Sequence, residues 1–167
     1  TIESDLQKTR NYVKSYKLKL EKKDGKLYIN GNEKDKRALM RMHLFYNGYE
    51  KFALNEVIQL YSNSYDLPEL YYKMNEIFVK YEVFVNDYAM HNVAIHIIIM
   101  IERLRHEFEL DDQNDIPELE TERQFKAAKE IIEYIKDRYS VSATKAELYN
   151  LVLLISSNSS LTNYAVI

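Results

Sequence analysis

Apolar positions recur at helical spacing over most of this chain, and at a spacing of two in one short stretch near its start. From Val93 to Ile101 every residue but His96 is apolar, so a helix here is greasy on nearly all sides and belongs inside a helical core. That helix is predicted to open at Asn86 or Asp87 and to run to about Glu107. Before it, Asp66 and Glu69 form a capping-box pattern with Pro68 in the first turn, and Leu67, Leu70, Met74, Ile77, Phe78 and Tyr81 continue one apolar face to about Val83. After it, Phe125, Ala128, Ile131, Ile132, Ile135 and Tyr139 give a further helix a regular buried face. Thr144 and Glu147 repeat the capping-box pattern and open a last helix in which Leu148, Leu151, Val152, Leu154 and Ile155 can pack. Residues 109–120 are acidic and contain Pro117, which predicts a loop leading into a helix near the proline. The polar run SSNSSLTNY has no period and predicts a frayed end or the start of a linker.

The amino-terminal part is patterned differently. Thr1 to Lys14 predicts a short helix, with Ile2, Leu6 and Val13 on one side and Glu3, Lys8, Arg10 and Lys14 mostly on the other. Its abrupt start suggests a cut from something longer. Leu18 and Leu20 then alternate with Lys17, Lys19 and Glu21, Asp24-Gly25 supplies a two-residue hairpin turn, and Leu27 and Ile29 alternate again. The result is a β-ribbon with Lys22, Lys23 and Lys26 at its tip. Two strands are not stable alone, so the ribbon is expected to pack on flanking helices. Asn32 caps a helix to about Tyr46 with Ala38, Leu39, Met42 and Phe45 on its apolar face, and Asn47-Gly48 ends it. Tyr49 to Tyr65 lacks a clean period and is read as a helical connector.

Composition narrows the class. Three Gly and two Pro leave few turns for an all-β fold, and the absence of Cys excludes disulfides, thiolate zinc sites and cysteine nucleophiles. The apolar run is far shorter than the roughly 20 residues that cross a bilayer, and no secretory leader pattern opens the chain, so a cytoplasmic protein without membrane contact is expected. The net charge of −3 conceals a division. Residues 1–42 carry twelve Lys and Arg against six Asp and Glu, a net +6, whereas 43–167 carry eleven against twenty, a net −9. A basic piece that meets a polyanion, joined to an acidic body, accounts for this, as does a merely solvated basic hairpin.

Enzyme chemistry finds no foothold. There is no Gly-rich phosphate loop, and His106-Glu107 lacks the second histidine of a zinc-protease helix. His91 and His96, five apart, lie on different helix faces, which argues against a shared metal, and no catalytic group, metal or cofactor is assigned. His96 is the one polar interruption of the apolar run; Asn92 precedes it by four residues and Arg103 follows by seven, so the three share one stripe. A histidine in an apolar helix is more often a satisfied packing residue than a functional one. His43, His91 and His106, on other faces, are read as surface or interface residues.

Two runs carry a family resemblance. TIESDL followed by LKLEKKDGKLYINGNEKDKR resembles the recognition helix, wing and exit segment of bacterial sugar-responsive transcription regulators. HIIIMIER, with His96 first and Arg103 last, is similar to the phosphoacceptor helix of the PTS-regulation domain (PRD) found in those regulators and in related antiterminators. The resemblance implies a mainly α protein: a partial winged helix-turn-helix with a two-stranded ribbon (1–47), a connector (48–65), a PRD-like helical bundle (66–157) and a tail (158–167). It also implies His96 as phosphoacceptor supported by Arg103 and Asn92, with Ser4, Lys8, Lys22, Lys23 and Lys26 toward double-stranded DNA. The implied partners are the phosphocarrier protein or sugar permease components of the phosphotransferase system. Typical members carry a second histidine in the closing helix, where the ELYNLVLLI run has Leu154, so phosphate control is reduced to one site or lost, as in related virulence regulators. The antiterminator branch begins with a small RNA-binding β domain that this chain does not resemble. Because a helix apolar all round exceeds what four or five helices can cover, a symmetric homodimer is also expected.

Overall fold

A computed structural model of the chain describes residues 1–47, 65–111 and 122–160. The chain divides into two compact units, Thr1–Ile58 and Gln59–Ile167. Most of the connector 48–65, the stretch 112–121 around Pro117, and 161–167 lie outside the described residues.

In the first unit, α1 (Ile2–Lys14) is capped by Thr1, whose hydroxyl accepts from the Ser4 N–H at 3.4 Å. The helix stops because Lys17 takes a left-handed conformation (φ 61°) and turns Leu18 back, its N–H donating to the Val13 carbonyl at 3.1 Å. Val13 and Leu18 are buried at the joint, whereas Ile2, read from the pattern as part of the same face, is 81% exposed. Strands β1 (Lys19–Lys23) and β2 (Lys26–Asn30) pair antiparallel with Lys19 opposite Asn30 and Lys23 opposite Lys26. Asp24 and Gly25, at φ 52° and 77°, make the tight turn the sequence predicts. Gly31 sits at φ 152°, a conformation that L side chains rarely adopt, and a Cβ there would also press on the Leu18 side chain. The ribbon leans on α1 through β1, while every residue of β2 is exposed, so only one of its strands is sheltered by a helix. Helix α2 (Glu33–Asn47) starts at Asn32, whose Oδ1 accepts from the Asp35 N–H at 2.7 Å. Ala38, Leu39 and Met42 are half-buried, Leu44 is the fully buried residue the pattern missed, and the side chain of Phe45 lies outside the described residues.

The second unit holds α3 (Leu67–Lys80), α4 (Asp87–Arg105), α5 (Arg123–Tyr139) and α6 (Lys145–Asn158). Helix α3 packs on α4 and α5, and α6 packs on the same two, closing a four-helix ring. Asp66 caps α3, accepting from the Glu69 N–H at 3.0 Å, but Glu69 does not spend its carboxylate on the cap: it takes Arg138 of α5 in a fork at 3.0–3.1 Å. At the other end of α3, Lys80 and Tyr81 both donate to Glu130 of α5, at 2.6 and 2.7 Å. These ties run α3 and α5 antiparallel. Helix α3 ends at Lys80, three residues before the expected Val83, because Glu82 (φ 54°) is left-handed and the Val83 N–H returns to the Phe78 carbonyl at 2.9 Å. The same device ends α4: Glu107 is left-handed (φ 60°) and the Phe108 N–H meets the Arg103 carbonyl at 3.0 Å.

Helix α4 is the core. Val93, Ala94, Ile95, Ile97, Ile98, Ile99, Met100 and Ile101 are all at most 4% exposed within the single chain. The premise that this helix needs a partner subunit to cover it is therefore incorrect, since one chain covers it already. Helix α6 runs on through Ser156, Ser157 and Asn158, a stretch whose polarity predicts fraying, and the Ser160 N–H donates to the Phe84 carbonyl at 2.9 Å in an isolated antiparallel bridge.

Glu147 is fully buried, and its Oε1 accepts the Leu110 N–H at 3.1 Å while its own N–H is capped by Thr144 at 3.4 Å. Removing the carboxylate strands a half-buried donor, so Glu147→Ala should lower the unfolding free energy by about 2 kcal/mol, while Glu147→Gln, which keeps an acceptor, should cost less. Urea midpoints at constant slope measure both, and equal losses for the two variants would exclude this role for the acceptor.

Candidate functional site

On α4, Asn92, His96 and Arg103 are half-buried whereas Ile95 and Ile97 on either side of His96 are fully buried, which puts the stripe at the rim of the bundle. Asn86 caps the helix, accepting from the Ala89 N–H at 2.8 Å.

The structure gives each member of the stripe a different setting. Asn92 Nδ2 donates to Oδ1 of Asn158 on α6 at 3.1 Å. The Asn158 amide nitrogen donates in turn to the Leu154 carbonyl at 2.8 Å, which can only accept and so fixes which end of the Asn158 amide faces Asn92. Leu110, just past α4, meets Glu147 in the first turn of α6, while Asn92 near the start of α4 meets the last residue of α6, so the two helices are antiparallel. One turn in from the asparagine pair on each helix stand His96 and Leu154, both half-buried, at the same level of the α4–α6 groove. Arg103 is placed elsewhere. It lies about 10 Å along the axis from His96, and its guanidinium covers the Phe108 ring at 4.2 Å from the centroid. The left-handed Glu107 delivers Phe108 there, so the helix end and the arginine's position are set together.

The other histidines are accounted for. His91 Nδ1 stands 2.5 Å from the Tyr71 hydroxyl of α3, with the rings 6.3 Å apart and nearly stacked. Burial pushes the Tyr71 phenol up to about 12 and lowers His91 from its ordinary 6.5, so burial disfavours the charged form of both partners. His106 is exposed at the end of α4, its Nδ1 2.9 Å from the Glu102 carbonyl, and His43 is exposed on α2. Among the described residues no three His, Asp or Glu side chains gather as a metal site. No helix among them is long and apolar enough to cross a membrane.

A second polar cluster closes the far end of α4, where Tyr65 donates to Glu102 and accepts from Arg105 at 3.3 Å. Burial and the Glu102 carboxylate both push the Tyr65 phenol upward. The Arg105 guanidinium lies 5.2 and 5.8 Å from the rings of Tyr65 and Tyr139. Sequence patterning gave Tyr139 as core but not Tyr65, which has no periodic neighbours to reveal it. In the first unit, Ser4, Lys8, Lys22, Lys23 and Lys26 are all exposed, the three ribbon lysines together at the tip and Ser4 and Lys8 on α1.

The model of the PRD domain family matches residues 71–158, more than half of the chain. The chain belongs to the PRD family. The match begins in the second turn of α3 and ends on Asn158, the residue that holds Asn92. A PRD is a regulatory rather than a catalytic domain, linked to the phosphotransferase system through phosphohistidine. No curated protein matches the chain.

The PRD's own electrostatics generate a pH dependence. Below about pH 6.5 the unfolded chain takes up a proton at His91 that the folded chain resists, so the stability tied to this group is full above that pH and is lost as the pH falls toward the folded-state value. The urea midpoint of the wild type should therefore fall more steeply between ~pH 7.5 and ~pH 5.5 than that of His91→Phe. Parallel curves would show that folding leaves the proton affinity of His91 unchanged.

Proposed function

We propose that this PRD is the phosphorylation-controlled part of a DNA-binding transcription regulator, with His96 as its phosphoacceptor and residues 1–47 as part of the winged helix. The observation that carries the reading is the placement of His96: the one histidine inside the buried run of α4, turned to the rim, one helical turn from a side-chain amide and level with α6. The donor is the phosphocarrier protein or a sugar permease component of the phosphotransferase system. An unprotonated ring nitrogen of His96 attacks the phosphorus of the donor's phosphohistidine. A new P–N bond forms as the donor's breaks, and the donor ring regains a proton. The product carries about 1.5 to 2 negative charges and three acceptor oxygens. Asn92 supplies the nearest amide, while Arg103 serves as counter-charge by leaving Phe108 and folding back along the helix.

The competing reading, a PRD that retains the fold for dimerisation or sensing without phosphate control, draws on Leu154 standing level with His96 where a second histidine would otherwise share the groove. Incubation with phosphoenolpyruvate, its phosphotransferase and the phosphocarrier protein, followed by intact mass, separates the two. One phosphoryl group should appear on the wild type and none on His96→Ala, whose helical circular dichroism persists. Arg103→Ala should still label but show a smaller change in melting temperature on labelling. Undiminished labelling of His96→Ala would move the site to His91 or His106.

The basic ribbon supports the DNA-binding half of the reading. Lys22, Lys23 and Lys26 are exposed and close together at the turn, suited to phosphate and indifferent to base sequence. This chain should bind duplex DNA weakly and without sequence preference, with a log–log salt slope of about −3, and alanines at the three lysines should abolish it. Tight, sequence-selective binding at physiological salt would refute this use of the ribbon. Homodimerisation through the PRD belongs to the same reading; Tyr72 and Val79, 71% and 69% exposed and two turns apart on α3, are the apolar pair such an interface would cover.

A further inference from the structure

The hydrogen bonds at the end of α6 join neutral groups. Its last turn consists of Ser156, Ser157 and Asn158, whose Ser157 hydroxyl and Asn158 amide both donate to the Leu154 carbonyl, at 2.9 and 2.8 Å. Such local side-chain bonds compete with the helix ladder and make a poor terminus by themselves. Besides the Gln124 amide donating to the Ser159 hydroxyl at 3.5 Å, two attachments hold it: the Asn92–Asn158 amide pair, and two residues later the Ser160–Phe84 backbone bridge. Both border a cleft of about 690 Å³ walled by Phe78, Val79, Val83 and Val85 on one side and Ser157 to Ser160 on the other.

We propose that the Asn92–Asn158 hydrogen bond is a latch on the end of α6, and that phosphate on His96 opens it. The inference rests on His96 being the acceptor. Asn158 is committed to presenting its oxygen, because its nitrogen already serves the Leu154 carbonyl, so the bond is made by the Asn92 NH₂ group. That group lies one turn from His96 on the same stripe. Phosphate oxygens accept hydrogen bonds and are charged, and a charge-assisted bond is roughly twice as strong as a neutral amide pair. The Asn92 amide turns from Asn158 to the phosphate, Asn158 loses its anchor, and the bridge that hangs from the same turn frays. Modification of α4 is thereby read as loosening of the last turn of α6 and of the bridge beside the cleft.

The Ser160 amide, which makes the bridge, is the reporter, with the Glu69 amide at the far end of α3 as the control. Hydrogen exchange is followed by NMR in the whole chain. Asn92→Ala, without any phosphate, should speed exchange at Ser160 about threefold to tenfold and leave Glu69 unchanged. Unchanged Ser160 exchange, or equal acceleration at Glu69, overturns the latch. Phosphoramidate then supplies phosphate independently of any carrier protein: its P–N bond breaks, a P–N bond to the His96 ring forms, and ammonia leaves with the displaced proton. Wild type carrying phosphate at His96 should match Asn92→Ala at Ser160. Phosphorylated protein with unaltered Ser160 exchange overturns the proposal, as does failure of the reagent to reach His96. Labelling by phosphoramidate but not by the phosphocarrier protein would instead remove the proposed donor and leave the latch standing.

Discussion

A helix that is apolar on nearly every side must be sheltered from several directions at once, and the second unit is arranged around that requirement. Helix α4 is packed by α3 and α6, and α5 bridges those two from behind. With the apolar residues from Val93 to Ile101 submerged, His96 is left half-buried at the rim, on a stripe between Asn92 and Arg103. Burial therefore does more than stabilise. It restricts where an imidazole can meet solvent and which neighbours it can have.

The antiparallel pairs α3–α5 and α4–α6 are fastened differently. Between α3 and α5 the fastenings are charged and sit at both ends, the Glu69–Arg138 fork and the Glu130 pair with Lys80 and Tyr81. Between α4 and α6 they are an amide pair at one end and a backbone N–H on buried Glu147, through Leu110, at the other. Exposed ion pairs contribute modestly to stability, on the order of 1 kcal/mol or less, yet their geometry fixes register. The helix with the histidine is thus paired to an element whose far end is held by hydrogen bonds between neutral groups, while ion pairs join α3 and α5.

Much of this arrangement was legible in the residues. The apolar periods of α3, α5 and α6, the caps at Asp66, Asn86 and Thr144, and the Asp24-Gly25 turn all act through local rules that a sequence displays directly. What was not legible depends on partners distant in the chain. Glu69 and Glu147 follow the capping-box pattern, but their carboxylates serve Arg138 and Leu110, because a tertiary partner outbids a local one once the helices dock. Arg103 shares a stripe with His96, yet Phe108 holds its guanidinium, an outcome decided by the chain reversal at Glu107. Asn158 belongs to a polar run without period, and only the antiparallel docking of α6 on α4 shows that it has a use. The requirement for a second subunit around α4 failed for a simple reason: periodicity shows that a helix must be buried, not how much of that burial its own chain provides.

The reversals after α1, α3 and α4 are made by Lys17, Glu82 and Glu107, all left-handed and none of them glycine, in a chain that has three glycines in all. An L-residue in that conformation carries strain of about 1 kcal/mol that glycine would not. Each is followed by an apolar residue, Leu18, Val83 or Phe108, that folds back on its helix and holds the turn in place. The helix ends are thus tensioned by packing rather than relaxed by composition. This leaves the fold with thermal headroom at three exposed turn positions, which an evolving lineage could claim one glycine at a time without repacking a single buried side chain.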